Sequence, residues 1–456
     1  MNNIEDLEIQ SPQVKKVETP SKVFEPEVKP RRSLWETLLY DRIMGGDKVL
    51  WMIISILIFM SVLVVYSSTA SLAYNELDGD TSYFLFDQLF NLSLGVMFMF
   101  IVYLFTYRTY GRLAELCAVF AFLLVVYAQI WGVEINGASR WVRIPGLGVT
   151  FQPSDFLRYS LVLYLCKKMN RIGDNFDDVY LLPNMFYTKG APSNSYIIQK
   201  YTIPLLGPIA ASCLLILLGN LSTAMMTFFV CCLMFYMARV RLREILRLVS
   251  VAVIGGVLLI AVLNLCGYDR AQTWINRGAS YVGIETESLE NNEDKDFQKE
   301  QAQVTVASGG FFWGKGPGQS TQRSNLPHSY SDFAYAFVIE EYGDLVAFLV
   351  LLFYMWLFAR SKIIAQKLGS QFSSMLVLGL SLMITVQALI NMAVSVGLAP
   401  VTGQTLPLIS KGGSSVVFTC MALGMILSLS RDADKKALEP KLKGASVIED
   451  NRIVIK

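Results

Sequence analysis

The sequence predicts an all-α polytopic membrane protein with about ten transmembrane helices, and three observations support this class. Hydrophobic residues make up 53% of the 456 residues and charged residues only 17%, with a mean hydropathy of +0.44. Apolar runs such as "VLWMIISILIFMSVLVVY" are long enough to cross a hydrocarbon core of about 30 Å. Clusters of Lys and Arg occupy alternate connections between these runs, which is typical of a chain that crosses a membrane repeatedly.

The apolar runs give the predicted helices in chain order. These span approximately 49–70, 84–106, 113–132, 154–167, 201–219, 221–239, 245–266, 332–359, 373–398 and 412–430. Residues 48–431 are therefore expected to form one membrane domain. Residues 1–47 are polar and lack the apolar core of a signal peptide, which predicts a disordered cytoplasmic tail. Residues 432–456 are expected to form a second cytoplasmic tail.

The basic residues predict the orientation of the chain. The clusters "YRTYGR", "KKMNR", "ARVRLR", "ARSKIIAQK" and "SRDADKK" share one side with the basic N-terminal tail. An excess of Lys and Arg marks the cytoplasmic side, so both termini are predicted to be cytoplasmic. The opposite side carries one long outer loop over about 267–331. Long outer loops on a compact helical scaffold commonly carry function.

Two features of the sequence have simple interpretations. The seven cysteines show no metal-binding spacing and are interpreted as small apolar residues. The segment "GGFFWGKG" is close to a nucleotide-binding P-loop, but Gly316 stands where Ser or Thr must hold magnesium. Such a glycine-rich loop, with Lys315, can instead hold a lipid diphosphate through its backbone N–H groups.

Charged residues stand at the start of the fourth predicted helix, in "FQPSDFLRYS". Asp155 and Arg158 are three residues apart and share one helix face. One interpretation is a helix cap with a stabilising ion pair. The other is a cavity for an anionic headgroup, because each charge entering the membrane costs about 2.5–3.5 kcal/mol. Upstream, Arg140 and Trp141 either anchor the loop at the membrane interface or bind a diphosphate.

Three carboxylates stand in "SYSDFAYAFVIEEYG". Asp332 opens the eighth predicted helix, where an acid is also favoured as a cap. Glu340 lies eight residues later and Glu341 directly after it, which places them about 12 Å deeper along one continuous helix. Adjacent residues point about 100° apart on a helix, so one face cannot easily hide both. At least one of the two is expected to face a polar cavity or an interhelical partner such as Arg158.

The segment "PVTGQTLPLISKGGSS" precedes the last predicted helix. Its prolines, glycines and hydroxyls predict a non-helical re-entrant segment, which is tolerated only where protein or water surrounds it. A packing hinge is the alternative interpretation.

Several separated blocks in the right order together resemble the SEDS family (shape, elongation, division and sporulation). They are "GASRW…FQPSD", "GGFFWGKGPGQSTQ…LPHSYSDFAYAFVIEEYG" and "NMAVSVGLAPVTGQTLPLISKGGSS". The resemblance covers residues 48–431. The segment "PVTGQTLPLIS" and the long N-terminal tail are more similar to the division branch, FtsW, than to the elongation branch, RodA.

The resemblance implies a peptidoglycan glycosyltransferase that polymerises lipid II on the outer face of the bacterial cytoplasmic membrane during division, at the septum. Undecaprenyl diphosphate is the implied leaving group, released from the anomeric carbon of the growing chain. Implied partners are lipid II, undecaprenyl-linked glycan, a class B penicillin-binding protein with transpeptidase activity, and other divisome membrane proteins. Nucleic acid is not an expected partner. Asp332 matches the essential aspartate of the family and is the predicted catalytic base.

Further residues of these motifs are expected to bind the substrate. They are Arg140, Trp141, Gln152, Ser154, Asp155, Arg158, Lys315, Gln319, Gln322, Glu340, Glu341, Lys411, Gly412, Gly413 and Ser414. A divalent cation, Mg²⁺ or Mn²⁺, is a further expectation, with no ligand set evident.

The chain departs from the family pattern at several positions. Tyr330 replaces the family histidine two residues before the aspartate, and the displaced His328, the only histidine, receives no role. Asn220 stands where the family has an acid, and this puts the role of that acid in doubt. The other departures are Asp155 for Glu, Arg158 for Lys and Lys411 for Tyr.

Two other function classes remain open from the residues. A transporter or lipid II flippase would line a translocation path with Asp155, Arg158, Glu340 and Glu341. A non-catalytic divisome scaffold is the other. A transporter is expected to hold its key charges near the midplane, whereas most distinctive residues lie at the predicted outer surface, which favours catalysis.

Overall fold

The computed structural model describes residues 45–68, 82–135, 138–143, 150–173, 179–183, 192–267, 272, 274–275, 300–320 and 331–453. Side chains are described throughout these ranges except at 82–84, 134–135, 138–139 and 435–453. The chain divides into two compact units, Met1–Gly45 and Gly46–Lys456. Most of the predicted N-terminal tail, much of the predicted outer loop, His328, Tyr330 and Gln322 lie outside the described residues.

The longer helices of the described residues are numbered in chain order. They are α1 (Lys48–Ser68), α2 (Ser82–Tyr103), α3 (Tyr107–Trp131), α4 (Pro153–Ile172), α5 (Asn194–Gly219), α6 (Leu221–Met237), α7 (Leu242–Leu265), α8 (300–307), α9 (Ala334–Tyr342), α10 (Asp344–Lys367), α11 (Gln371–Ser395) and α12 (Ser414–Ile453).

A small sheet lies between α3 and α4, in a stretch that the sequence did not predict as strands. β1 (Val133–Ile135), β2 (Ala138–Arg143) and β3 (Thr150–Phe151) are antiparallel neighbours in chain order. β3 runs almost directly into α4, because Gln152 and then Pro153 follow it, and proline suits the first turn of a helix. The sheet thereby places Arg140 and Trp141 beside the start of α4.

The helices confirm the predicted all-α membrane fold. Within the described residues, eight helices are long and apolar enough to cross a membrane: α1, α2, α3, α5, α7, α10, α11 and α12. The apolar helix α6 has 17 residues, and α4 has 20 residues and carries several charges. A total of ten spans and cytoplasmic termini stay predictions.

The core of the bundle is formed by α11 and α12. In each of these helices, 78% of the apolar stretch is buried inside the protein, against 6% in α7. An apolar helix with so little protein contact is expected to face lipid. The functional motifs that flank α11 and α12 are therefore attached to the best-packed part of the molecule.

The predicted single helix over 332–359 is wrong. α9 ends at Tyr342 and α10 begins at Asp344, with Gly343 between them at φ +88° and ψ 166°, a conformation that glycine tolerates and other residues do not. A Cβ at Gly343 would also lie 2.9 Å from the carbonyl oxygen of Gly310. Because α9 is a separate helix of nine residues, Glu340 and Glu341 stand in its last turn and not inside a longer membrane-spanning helix.

Candidate functional site

Asp332 lies in a turn over 331–333 immediately before α9. Asn391 on α11 donates from Nδ2 to the carbonyl oxygen of Asp332 at 2.8 Å, and Ser331 donates from Oγ to Asp332 Oδ1 at 2.8 Å. The half-buried Asp332 thus stands two residues before α9, outside the first helical turn in which the sequence predicted it, and its main chain is held by α11.

The segment 401–413 forms a wall next to this turn. It is non-helical and largely buried, with Gln404, Leu406 and Ser410 inside the protein, so the predicted non-helical, protein-enclosed segment is confirmed. A Cβ at Gly403 would lie 3.7 Å from Asp332 Oδ2. The absence of a side chain at Gly403 therefore leaves space beside the carboxylate.

Two amides on α11 hold this segment in place. Asn391 Nδ2 donates to the carbonyl oxygen of Gln404 at 2.6 Å as well as to that of Asp332, and Gln387 Nε2 donates to the carbonyl oxygen of Thr405 at 2.9 Å. A single amide, Asn391, therefore joins the Asp332 turn to the buried segment. The sequence interpretation missed both residues, although polar amides in an apolar run are usually functional or interhelical.

Asp155 and Arg158 form a buried ion pair on α4. Arg158 Nη2 lies 3.2 Å from Asp155 Oδ1, and Nη1 donates to Gln404 Oε1 at 3.4 Å. Gln404 Nε2 in turn donates to Thr223 Oγ1 at 2.5 Å. Arg158 is thus paired within its own helix, and the interhelical partner found near the two glutamates is Ser67 of α1, which donates to Glu341, in place of the suggested Arg158. The ion pair also contacts the 401–413 segment through Gln404.

A narrow pocket brings several predicted residues together. Arg140, Gln152 and Ser154 line it, next to Asn220 at the start of α6. Gln152 Nε2 donates to Ser154 Oγ at 2.8 Å, and the backbone N–H of Gln152 donates to Ser414 Oγ at 3.1 Å. Polar groups of β2, α4 and α12 therefore converge on one place.

The substituted position Asn220 has a clear local role. Asn220 Oδ1 accepts hydrogen bonds from the backbone N–H groups of Ser222 and Thr223 at 3.0 and 3.3 Å. Asparagine caps a helix as well as aspartate does. The free backbone N–H groups at the start of α6 thus have a hydrogen-bond acceptor without the acid that is usual in the family.

The glycine-rich loop over 308–320 folds back onto α9 and covers Glu340. Lys315 Nζ lies 2.8 Å from Glu340 Oε1, and Ser308 Oγ donates to the same oxygen at 2.9 Å. Ser320 Oγ donates to Glu340 Oε2. Glu340 is 0% exposed, and these three side chains of the loop contact its carboxylate.

Glu341 is held by the same loop and by α1. Ser67 Oγ donates to Glu341 Oε1 at 2.6 Å, and the backbone N–H of Gly318 donates to it at 3.3 Å. Glu341 is 2% exposed. Both adjacent carboxylates are hidden although they point about 100° apart, because the loop contacts both of them and α1 contacts Glu341 as well.

The other predicted binding residues in the described part of the chain lie apart from these contacts, except that Ser414 accepts the hydrogen bond from Gln152. Trp141 is half-buried on β2, Gln319 is exposed in the 308–320 loop, and Lys411 Nζ lies 3.3 Å from Asp87 Oδ2. Gly412 and Gly413 lead into α12, and Ser414 begins it. Substrate contact at all of these positions stays a prediction.

The described residues contain no group of three or more His, Cys, Asp or Glu side chains that could hold a metal ion. The divalent cation, Mg²⁺ or Mn²⁺, therefore stays an expectation with no assigned ligands. Positive charge near the candidate site comes from Arg140 in the narrow pocket, whereas the guanidinium of Arg158 is paired with Asp155.

Comparison with known proteins decides the family. Residues 47–435 match the model of the FtsW/RodA/SpoVE family, described as cell cycle proteins. The chain belongs to this family. Two relatives illustrate the similarity of this FtsW/RodA/SpoVE protein. Stage V sporulation protein E of Bacillus subtilis is 30% identical over 389 residues, which cover 84% of this chain and 97% of the relative. A probable peptidoglycan glycosyltransferase FtsW of Trichlorobacter lovleyi is 28% identical over 392 residues, covering 85% and 94%.

Solved structures share the fold of this FtsW/RodA/SpoVE protein. A chain of a peptidoglycan synthase complex that coordinates polymerisation and crosslinking has a TM-score of 0.63 at 22% identity, covering 85% of this chain and 98% of its own. The rod shape determining protein RodA of Thermus thermophilus has a TM-score of 0.57 at 22% identity, covering 85% and 97%. At this identity the similarity concerns the fold.

Proposed function

We propose that this FtsW/RodA/SpoVE protein is a peptidoglycan glycosyltransferase that polymerises lipid II into glycan strands during division. The observation that carries the proposal is the placement of Asp332. Its carboxylate stands at the entrance of α9, next to Gly403, and its main chain is held by Asn391. Relatives named as peptidoglycan glycosyltransferases over most of the chain support the same reaction class.

The proposed reaction needs one base. A sugar hydroxyl of lipid II attacks the anomeric carbon of the growing chain, a new C–O bond forms, and the bond to undecaprenyl diphosphate breaks. Asp332 takes the proton of the attacking hydroxyl. The diphosphate leaves as an anion and needs no proton, so a second carboxylate acting as general acid is not required.

The leaving diphosphate needs positive charge and hydrogen-bond donors. We assign this role first to Arg140, with Gln152 and Ser154 in the same pocket, because arginine forks suit phosphate oxygens. Arg158 and Lys315 already have carboxylate partners, and in this proposal they hold the walls of the site. A divalent cation is the second proposed source of charge.

The partners follow from the same proposal. The related structure of a peptidoglycan synthase complex, which joins polymerisation to crosslinking, supports a class B penicillin-binding protein as the partner. The FtsW-named relatives support a place in the divisome, at the septum of the cytoplasmic membrane.

The transporter alternative has less support from the packing. Its proposed path needs Asp155, Arg158, Glu340 and Glu341 together. Asp155 and Arg158 pair with each other next to Gln404, whereas the glutamates pair with the 308–320 loop and α1. The four charges form two separate clusters that each have local partners.

The test uses the full chain purified with its cognate class B penicillin-binding protein and labelled lipid II, under conditions in which the partner makes no glycan. We expect Asp332→Asn and Asp332→Ala to lower polymerisation by about 10²-fold or more, the usual contribution of a general base. Asp344→Asn, at an exposed carboxylate that begins α10, is the matched control and is expected to polymerise normally. Full activity of a folded Asp332→Asn protein would contradict the assignment of the base.

A further inference from the structure

Three consecutive aromatic residues stand on the surface and have no part in the proposed reaction. Phe311, Phe312 and Trp313 are 65%, 64% and 88% exposed. They belong to the aromatic loop, which we define as residues 310–314, bounded by Gly310 and Gly314. A contiguous exposed apolar group of this kind indicates an interaction surface.

The aromatic loop is attached to the beginning of α10. The backbone N–H of Asp344 donates to the carbonyl oxygen of Gly310 at 3.0 Å, and that of Leu345 donates to the carbonyl oxygen of Phe311 at 3.2 Å. A Cβ at Gly314 would lie 2.3 Å from the carbonyl carbon of Glu341. The loop therefore presses closely against α9 and α10, and its aromatic side chains project from a fixed backbone.

The exposed side of α10 continues below the loop as an apolar stripe. Leu345, Phe348, Leu349 and Leu352 are 44%, 56%, 43% and 44% exposed, at the spacing of one helix face. α10 is apolar and long enough to cross a membrane, so this stripe is expected to face lipid. The aromatic loop adjoins the first residue of the stripe, at the level where α10 begins.

We propose that the aromatic loop is an interfacial anchor, with its three rings inserted into the lipid headgroup region on the side of the bilayer where α10 begins. Aromatic rings are favoured at this depth, where an apolar body meets both lipid and water. A lipid surface fits better than a protein groove, because the rings extend a lipid-facing stripe without a break.

The anchor has a consequence that rests on the proposed function. The loop continues into Lys315, which pairs with Glu340 on α9, and the turn before α9 carries Asp332. Insertion of the rings therefore fixes the height of Asp332 relative to the headgroups. The diphosphate of a lipid-linked substrate lies at this same height.

The direct test measures the depth of Trp313 in the full chain, reconstituted in nanodiscs with nitroxide lipids. The nitroxide is carried either on the headgroup or midway along the acyl chain. The Trp313 signal is the difference in fluorescence between the wild-type protein and the Trp313→Phe variant. Trp356→Phe gives a matched reference, because Trp356 lies twelve residues after Asp344 on α10, about 18 Å along the helix.

We expect headgroup nitroxide to quench the Trp313 signal about twofold more than acyl-chain nitroxide, with the opposite order for Trp356. Quenching of Trp313 by aqueous iodide but by neither lipid would overturn the anchor. The anchor would also be overturned if Trp313 were shielded from iodide only when a partner protein is added. None of these readouts depends on activity.

The consequence for Asp332 has its own test. The triple variant Phe311→Ser, Phe312→Ser, Trp313→Ser is expected to stay folded, because the three rings are mostly exposed and contact little of the protein. It is expected to lower lipid II polymerisation several-fold in nanodiscs. Unchanged polymerisation with normal quenching of wild-type Trp313 would remove the link to Asp332 and leave the anchor. Loss of activity in Asp332→Asn, measured in parallel, reports on the proposed function separately.

Discussion

At the scale of single residues, Asn391 has the most consequential position. Its one amide group donates to the carbonyl oxygens of Asp332 and Gln404 at 2.8 and 2.6 Å. These carbonyls belong to the turn that carries the proposed base and to the buried 401–413 segment. The side chain is 1% exposed, so water cannot easily replace the two hydrogen bonds.

We expect Asn391→Ala to lower kcat for lipid II polymerisation by about tenfold with little change in KM, since small displacements of a catalytic group have effects of this size. Gln387→Ala is the control, because Gln387 makes the same kind of bond to Thr405, one helical turn away, without touching Asp332. It is expected to lower stability similarly, by about 1–3 kcal/mol, with a smaller loss of kcat. Equal losses of kcat in the two variants would contradict a positioning role for Asn391.

At the scale of elements, α9 and the 308–320 loop depend on each other. α9 carries two buried glutamates that need partners, and the loop supplies a lysine, two serines and a backbone N–H. The loop in turn is an irregular segment that α9 holds in shape through the carbonyl oxygens of Glu340 and Glu341. Neither element is expected to keep its conformation alone.

The pair of Lys315 and Glu340 tests this dependence. Lys315→Met removes the cation that lies 2.8 Å from the fully buried carboxylate of Glu340, so it is expected to destabilise the protein by about 2–4 kcal/mol. Lys411→Met is the control, because its partner Asp87 is 43% exposed, and its expected cost is below about 1 kcal/mol. Thermal unfolding of the purified variants measures both. Adding Glu340→Gln to Lys315→Met should recover part of the loss.

A smaller loss of stability in Lys315→Met than in Lys411→Met would show that α9 does not depend on this pair. In that case the loop would be held mainly by its backbone hydrogen bonds to Glu340 and Glu341.

At the scale of the whole molecule, the bundle has well-buried central helices and one helix with little protein contact. α11 and α12 are mostly enclosed by protein, whereas α7 is almost entirely uncovered. Cys266 directly follows α7 and is the exposed cysteine of the chain; the other six are buried or half-buried. This single exposed thiol can report the orientation of the protein.

We expect a membrane-impermeant maleimide to label Cys266 in intact spheroplasts, because the basic clusters place this end of α7 outside the cytoplasm. Cys266→Ser should remove the labelling. Tags at both termini should stay inaccessible until the cells are lysed. Labelling of Cys266 only after lysis would reverse the predicted orientation.

The membrane class, most of the apolar helices, the non-helical segment before α12 and a helix start next to Asp332 could be predicted from the sequence. These features follow from local properties: the length of an apolar run, the conformational limits of proline and glycine, and the residues favoured at a helix start. The motif order also sufficed to recognise the family.

Only the tertiary structure decided how the polar groups are partnered. Lys315 meets Glu340 across 25 residues, Arg158 meets Gln404 across 246, and Asn391 meets Asp332 across 59. The break at Gly343 has the same origin, because the 308–320 loop packs against it. Such contacts depend on which distant elements the packed core brings together, and no local pattern of hydrophobicity or charge specifies that arrangement.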